Sequence, residues 1–337
     1  MKKVLRWALL PLLIAITFYL LLRGQDPQKI VDTIRGLSMN FVMMAFFAML
    51  FYLLLEALMI NVLTNLENKV TTLSQSLQYM FVGQFYSLIT PFASGGQPMQ
   101  LLMMMRDGVK PSLATAVLVN KFLYFQVGVT LYSIVLFLFN WQNLVTYFVA
   151  TKGLIAIGIT FNAVGLFLII ASIYNSFMIK GLVRAIATLM RKLSVSEARV
   201  SHFEIRWIKE IDDFANSTQM LLLHKDIIVK LTVMTLLQLT AFFGITYFVY
   251  RAFGQSGKGF VEVVALQSIL YMSISLIPAP GSAGVAEGGF YMVFQSLFPI
   301  GTVTSAVLIW RGITYYLNLL FSGVVTVSAT AYRTIKS

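Results

Sequence analysis

Apolar residues run through this chain in long blocks, with the polar residues gathered between them. A block of roughly 20 apolar residues predicts a helix that crosses a bilayer. Six such blocks stand at about 4–23, 38–64, 112–139, 153–175, 229–251 and 302–332. The first follows Met1-Lys2-Lys3 and Arg6, as a signal peptide would. Its apolar run, 7–22, is too long for a signal core, and no A-x-A pattern precedes Arg23, so it is expected to stay as an uncleaved span.

Two further apolar segments break in the middle. Segment 74–105 is interrupted by Thr90-Pro91-Phe92-Ala93-Ser94-Gly95-Gly96-Gln97-Pro98, and segment 262–299 by Ile277-Pro278-Ala279-Pro280-Gly281-Ser282-Ala283-Gly284. Proline removes a backbone donor, and glycine admits dihedrals that a helix does not use. Irregular backbone at membrane depth is tolerated only where protein or a wet cavity surrounds it. Each segment is therefore read as two short arms that enter and leave by the same face; ordinary kinked helices are the alternative. Two interrupted segments in corresponding halves point to an inverted-repeat transporter core.

Lys and Arg then set the sides. With the N-terminus cytoplasmic, the external loop 24–37 carries Lys29 and Arg35, while the polar segment 176–228, with Lys180, Arg184, Arg191, Lys192, Arg199, Arg206, Lys209 and Lys225, lies inside. Arg333 and Lys336 fall inside as well. Segment 74–105 then dips from the cytoplasm and 262–299 from outside. Within 177–193, apolar residues at helical spacing alternate with cations, which suits either a helix on an anionic leaflet or a cytoplasmic helical hairpin. Val200, Phe203, Trp207, Ile211 and Phe214 mark a second stripe.

Composition sharpens this picture. Of 337 residues, 58% are hydrophobic and 11% charged, against about 25% charged in soluble domains. A net charge of +12 is here a sign of the positive-inside bias and of anionic lipid rather than of nucleic acid. With no cysteine and two histidines, both in the polar segment, disulfides and thiolate chemistry are excluded and a histidine metal site is not expected. No G-x-S-x-G, Walker A or H-E-x-x-H pattern occurs. No cofactor, metal or catalytic residue is proposed from the sequence.

Charges inside spans are functional candidates by default. Glu56, Lys121 and Arg311 lie within apolar runs, and Glu287 follows the second break. Glu262 opens the second broken segment, at the outer interface, and polar Gln84, Ser94, Gln97 and Gln100 lie near the first break. Glu56 or Glu287 with Lys121 or Arg311 would balance the charge, either as ion pairs pinning helices or as the lining of a head-group cavity. In the second case the cations meet phosphate and the carboxylates any cationic part. Glu56, Ser94, Gln97, Lys121, Gly281, Glu287 and Arg311 form the expected substrate-binding set.

The segments ITPFASGGQPMQLLMMMRDGV (89–109) and IPAPGSAGVAEGGF (277–290) resemble the membrane region of the lysylphosphatidylglycerol synthase/flippase family. The resemblance covers about residues 4–332, with Pro278, Pro280, Gly281, Gly284 and Glu287 matching its second motif. It implies a flippase without the soluble aminoacyl transferase of the full-length members, since the chain stops at Ser337. Many relatives carry Gly-Glu-Pro where this chain has Gly96-Gln97-Pro98, which leaves room for a neutral or anionic lipid.

The expected protein is an all-α, multi-pass membrane domain spanning 1–337, with six full helices and two re-entrant hairpins. It moves phosphatidylglycerol or an aminoacylated form between leaflets of a bacterial cytoplasmic membrane, with both termini inside. The alternatives are a proton-coupled transporter of a small solute and a membrane-bound lipid-modifying transferase of the lysyltransferase kind. A separate lipid synthase is a partner the reading leaves room for, and the oligomeric state is not set.

Overall fold

The computed structural model describes residue 19 and residues 27–66, 69–144, 160, 162–165, 167, 176–193, 195–222, 225–275, 277 and 279–336. The predicted spans 4–23 and 153–175 fall almost wholly outside these residues, as does Pro278. Regular structure among the described residues is helical: α1 (Pro27–Arg35), α2 (Met39–Thr64), α3 (Leu73–Ile89), α4 (Gly96–Arg106), α5 (Pro111–Phe139), α6 (Trp141–Leu144), α7 (Ser176–Lys192), α8 (Glu197–Leu222), α9 (Lys225–Ala252), α10 (Phe260–Ile274), α11 (Val285–Phe294), α12 (Val303–Arg311) and α13 (Asn318–Lys336). A π-helical segment, Gly312–Leu317, joins α12 to α13, and 3-10 turns occupy Pro91–Ala93 and Pro280–Ser282. Helix α1 replaces the loop expected at 24–37. Pro27 at its first position and Gly36 just past its end are ordinary start and stop signals.

Four helices among the described residues are long and apolar enough to cross a membrane: α2, α5, α9 and the Val303–Ala329 stretch. Helix α2 shows why they are membrane helices. It buries Ala45, Met49, Leu53, Ala57 and Ile60 at three- and four-residue spacing, yet its opposite side exposes Met43, Phe47, Leu50 and Leu54. A helix apolar on all sides, with one side facing out, is stable where the exterior is lipid.

Helices α2 and α9 run antiparallel. The Ser38 N–H donates to the Ala252 carbonyl (3.0 Å), the Arg251 guanidinium lies over Phe41 (4.9 Å), and the Tyr52 and Phe242 rings meet at 4.8 Å. Their pairing defines two ends. At the first end α2 finishes and α9 begins; at the second α2 begins and α9 finishes.

Each broken segment folds as a hairpin, and the two enter from opposite ends. Hairpin one is α3, the Pro91–Ala93 turn and α4. It starts at the first end under a capping box between Thr72 and Gln75 and returns there, where the Tyr79 hydroxyl donates to Asp107 (2.9 Å). Hairpin two is α10, the Pro280–Ser282 turn and α11. It follows α9 at the second end and returns there, where Phe298 packs on Tyr250 and Phe253 (5.9 and 5.2 Å). The arms have 17, 11, 15 and 10 residues. At about 1.5 Å per residue, all fall short of the roughly 30 Å hydrocarbon thickness.

The turns meet each other and reach the middle of the Val303–Ala329 stretch, where the Tyr315 hydroxyl donates to the Leu88 carbonyl (3.4 Å). They share one backbone shape. Thr90 (φ −117, ψ 143) matches Ala279 (−117, 137), and Phe92 (54, 20) matches Gly281 (56, 20). The next residues, Ala93 and Ser282, are also left-handed, at φ 53 and 54. Both turns satisfy the N–H of the following glycine with a side chain: Thr90 Oγ1 accepts from Gly95 (2.9 Å) and Glu287 Oε2 from Gly284 (2.7 Å). This repetition of geometry in two antiparallel hairpins is the structural form of an inverted repeat.

Candidate functional site

Two ion pairs lie inside the protein: one joins hairpin two to α12, and the other joins α2 to α5 beside hairpin one. In the second half, Arg311 Nε donates to Glu287 Oε1 at 2.6 Å, and both side chains are under a tenth exposed. Arg311 Nη2 also donates to the Gly281 carbonyl (2.9 Å), and its guanidinium stacks over Tyr315 (4.7 Å). Glu287 caps α11 with its other oxygen. The charges are thus matched at hydrogen-bond distance inside the protein, which burial of an ion requires. Their joint effect is to fix the second turn against the α12–α13 helix.

Gly281 is the residue that this close approach demands. Its φ is 56, and an added Cβ would come within 2.1 Å of the Tyr315 ring. Gly281→Ala is therefore expected to destabilise the protein by about 1–3 kcal/mol through overpacking, read as a lower unfolding midpoint in detergent. Gly312→Ala, whose Cβ would meet nothing within 4 Å, should leave the midpoint unchanged or raised.

In the first half, Lys121 Nζ donates to Glu56 Oε1 at 2.6 Å, with side-chain exposures of 14% and 10%. Here amides surround the pair. Gln84 donates to the other Glu56 oxygen (2.5 Å) and accepts from Asn318 Nδ2 (3.1 Å), while Lys121 reaches Gln100 Oε1 (3.4 Å). The Asn318 Oδ1 is buried and has no partner among the described residues. Five helices contribute: α2, α5, both arms of hairpin one (α3 and α4) and the start of α13. A row of amides can pass a hydrogen bond from one partner to another, which the closed Glu287–Arg311 pair cannot do.

Ser94 and Gln97 stand elsewhere, on the exposed tip of hairpin one. Pro91, Phe92 and Ala93 are exposed with them, whereas in the matching turn Pro280 and Ala283 are buried. Phe92, 62% exposed, holds a left-handed conformation that is rare for a bulky residue and marks local strain. One turn beyond Gln97, the buried Gln100 touches Lys121. A polar track of hydrogen bonds therefore joins Gln100, Lys121, Glu56, Gln84 and Asn318, and three-residue spacing along α4 sets Gln97 of the exposed tip next to its first member. Glu262 is outside it, paired with Lys258 (2.7 Å) where α10 begins. Gln84 and Gln100 are visible in the sequence as amides in apolar arms; Asn318 has no such flag beyond being polar within an apolar run.

The sequence profile of the lysylphosphatidylglycerol synthase TM region matches residues 7–322. The chain belongs to this family. A relative described as a UPF0104 membrane protein, from Archaeoglobus fulgidus, is 26% identical over 304 residues, covering 88% of this chain and 87% of its own length. The lysylphosphatidylglycerol synthase TM-region match spans both hairpins and all four long apolar helices up to Ser322. The protein is accordingly a multi-pass, membrane-embedded member of that family.

Proposed function

We propose that the protein translocates phospholipid head groups between leaflets, without chemical change to the lipid. The observation that carries this reading is the polar track, which starts next to an exposed hairpin tip at mid-height and leads to a buried ion pair. A head group at the tip would exchange hydrogen bonds with Ser94 and Gln97, and its phosphate would compete with Glu56 for Lys121. The acyl chains would remain in lipid against the apolar outer faces. Membership of a family named for a lipid product supports a lipid as the cargo, and the neutral Gln97 suits phosphatidylglycerol.

Charge distribution supports the orientation. The first end holds Lys69, Arg106, Lys110 and the basic α7–α8 segment, against Lys29, Arg35, Arg251 and Lys258 at the second. The positive-inside rule makes the first end cytoplasmic, so hairpin one opens inward and hairpin two outward.

The test is reconstitution into liposomes carrying head-group-labelled phosphatidylglycerol, followed by chemical quenching of the outer leaflet. Quenching well beyond half is expected. Ser94→Leu and Gln97→Leu should each slow it roughly fivefold, since each removes a hydrogen bond to the head group worth about 1 kcal/mol. Quenching that stops at half in tight vesicles would reject translocation of this lipid and return the track to a small soluble solute.

A further inference from the structure

Helices α7 and α8 form an antiparallel hairpin closed at both ends. Lys180 pairs with Asp212 at one end (2.5 Å), and Arg191 pairs with Glu197 and Glu204 at the other (3.1 and 3.2 Å). Two groups of apolar residues along α7 and its C-terminal edge differ in exposure. Val183 and Ala187 are buried. Leu182, Ile186, Leu189 and Leu193 are 41–70% exposed, and their spacing of four, three and four residues places them on one face. Closing the hairpin does not cover that stripe, because the clamps hold α7 by its other face.

Two facts bear on what covers it. The hairpin runs into the spanning helix α9 within three residues, from Leu222 to Lys225, so it stays beside the membrane surface at the first end. Arg184, Lys192, Arg199 and Arg206 are exposed on the same hairpin, while Arg191 and Lys180 occupy Glu197, Glu204 and Asp212. A second copy of a chain with net charge +12 would meet this surface with like charge. An anionic leaflet offers both acyl boundary and phosphate.

We propose that α7 is a leaflet-docking helix, with Leu182, Ile186, Leu189 and Leu193 entering the acyl boundary of an anionic membrane surface and the flanking cations meeting its phosphates. This is the arrangement of interfacial amphipathic helices. The assignment is independent of lipid translocation.

The chain has no cysteine, so a single introduced thiol can be labelled cleanly in the full-length protein. Ile186→Cys samples the stripe, and Thr188→Cys, exposed on the other side, serves as control. In phosphatidylglycerol-rich vesicles a fluorophore at 186 should be quenched by brominated lipid and protected from aqueous iodide, with the reverse at 188. Lys192→Gln, beside Leu189 and Leu193 on the helix surface, should reduce the protection at 186 by roughly fivefold in the docking equilibrium, whereas Arg184→Gln, on the Thr188 side, should change it little. Equal iodide access at 186 and 188 would overturn the proposal. So would the same protection in pure phosphatidylcholine, which needs no anionic recognition, or energy transfer between labels at 186 on two copies, which assigns the stripe to self-association.

Discussion

Arg311→Ala should lower the stability of the protein by about 3–5 kcal/mol, the cost of leaving one member of a buried ion pair without its partner. Three effects coincide in this one change. Glu287, 2% exposed, keeps its helix-capping bond but is left without the guanidinium at 2.6 Å. The Gly281 carbonyl is left without its donor, and Tyr315 without the cation stacked on its face. The unfolding midpoint in detergent, followed by size-exclusion chromatography, reads the effect. Glu287→Gln with Arg311→Met should recover much of the stability, since the Gln carbonyl can still accept from Gly284 and no charge is left buried. An Arg311→Ala midpoint equal to wild type would show that the pair is solvated in the membrane and does not hold the second turn.

The apolar runs specified the lipid-facing helices with little ambiguity. Expected spans at 38–64, 112–139 and 229–251 correspond to Met39–Thr64, Pro111–Phe139 and Lys225–Ala252, because the bilayer imposes length and apolarity directly on local sequence. The breaks were legible for the same kind of reason: Pro91, Pro280 and the glycines nearby act on their own backbone. Partner choice was not local. Glu56 and Lys121 are 65 positions apart, and which acid meets which base depends on how α2 and α5 pack. The shared turn geometry was hidden too, since Thr-Pro-Phe-Ala-Ser-Gly and Ala-Pro-Gly-Ser-Ala-Gly have only proline and the final glycine in common. Phe92 and Ala93 adopt positive φ against their intrinsic preference, with the opposing turn in contact. The difference in exposure between the two tips is likewise a property of the assembled helices. It leaves Ser94 and Gln97 exposed at one tip while Pro280 and Ala283 are buried at the other.

Exchanging the members of the first pair, as Glu56→Lys with Lys121→Glu, separates the two roles that pair can have. A purely structural ion pair is indifferent to which helix carries the cation, so the exchanged protein should fold with a midpoint near wild type. Lys121→Ala alone, by contrast, should cost several kcal/mol by stranding Glu56, as Arg311→Ala does to Glu287. Translocation should respond in the opposite order. In the proposed path the phosphate comes from Gln97 past Gln100 to the ammonium of Lys121, on α5. The exchange puts a carboxylate on α5 and moves the cation to α2, so that the phosphate approaching along hairpin one meets a negative charge at position 121. Loss of one charge-assisted hydrogen bond, about 1.5–3 kcal/mol, corresponds to roughly 10- to 150-fold in rate, and repulsion by the new carboxylate adds to it. The expected result is a stable protein that no longer carries labelled phosphatidylglycerol at a measurable rate. Wild-type transport in the exchanged protein would mean that Lys121 holds helices and does not touch the phosphate. The path would then have to be sought along the exposed turn alone, at Ser94 and Gln97.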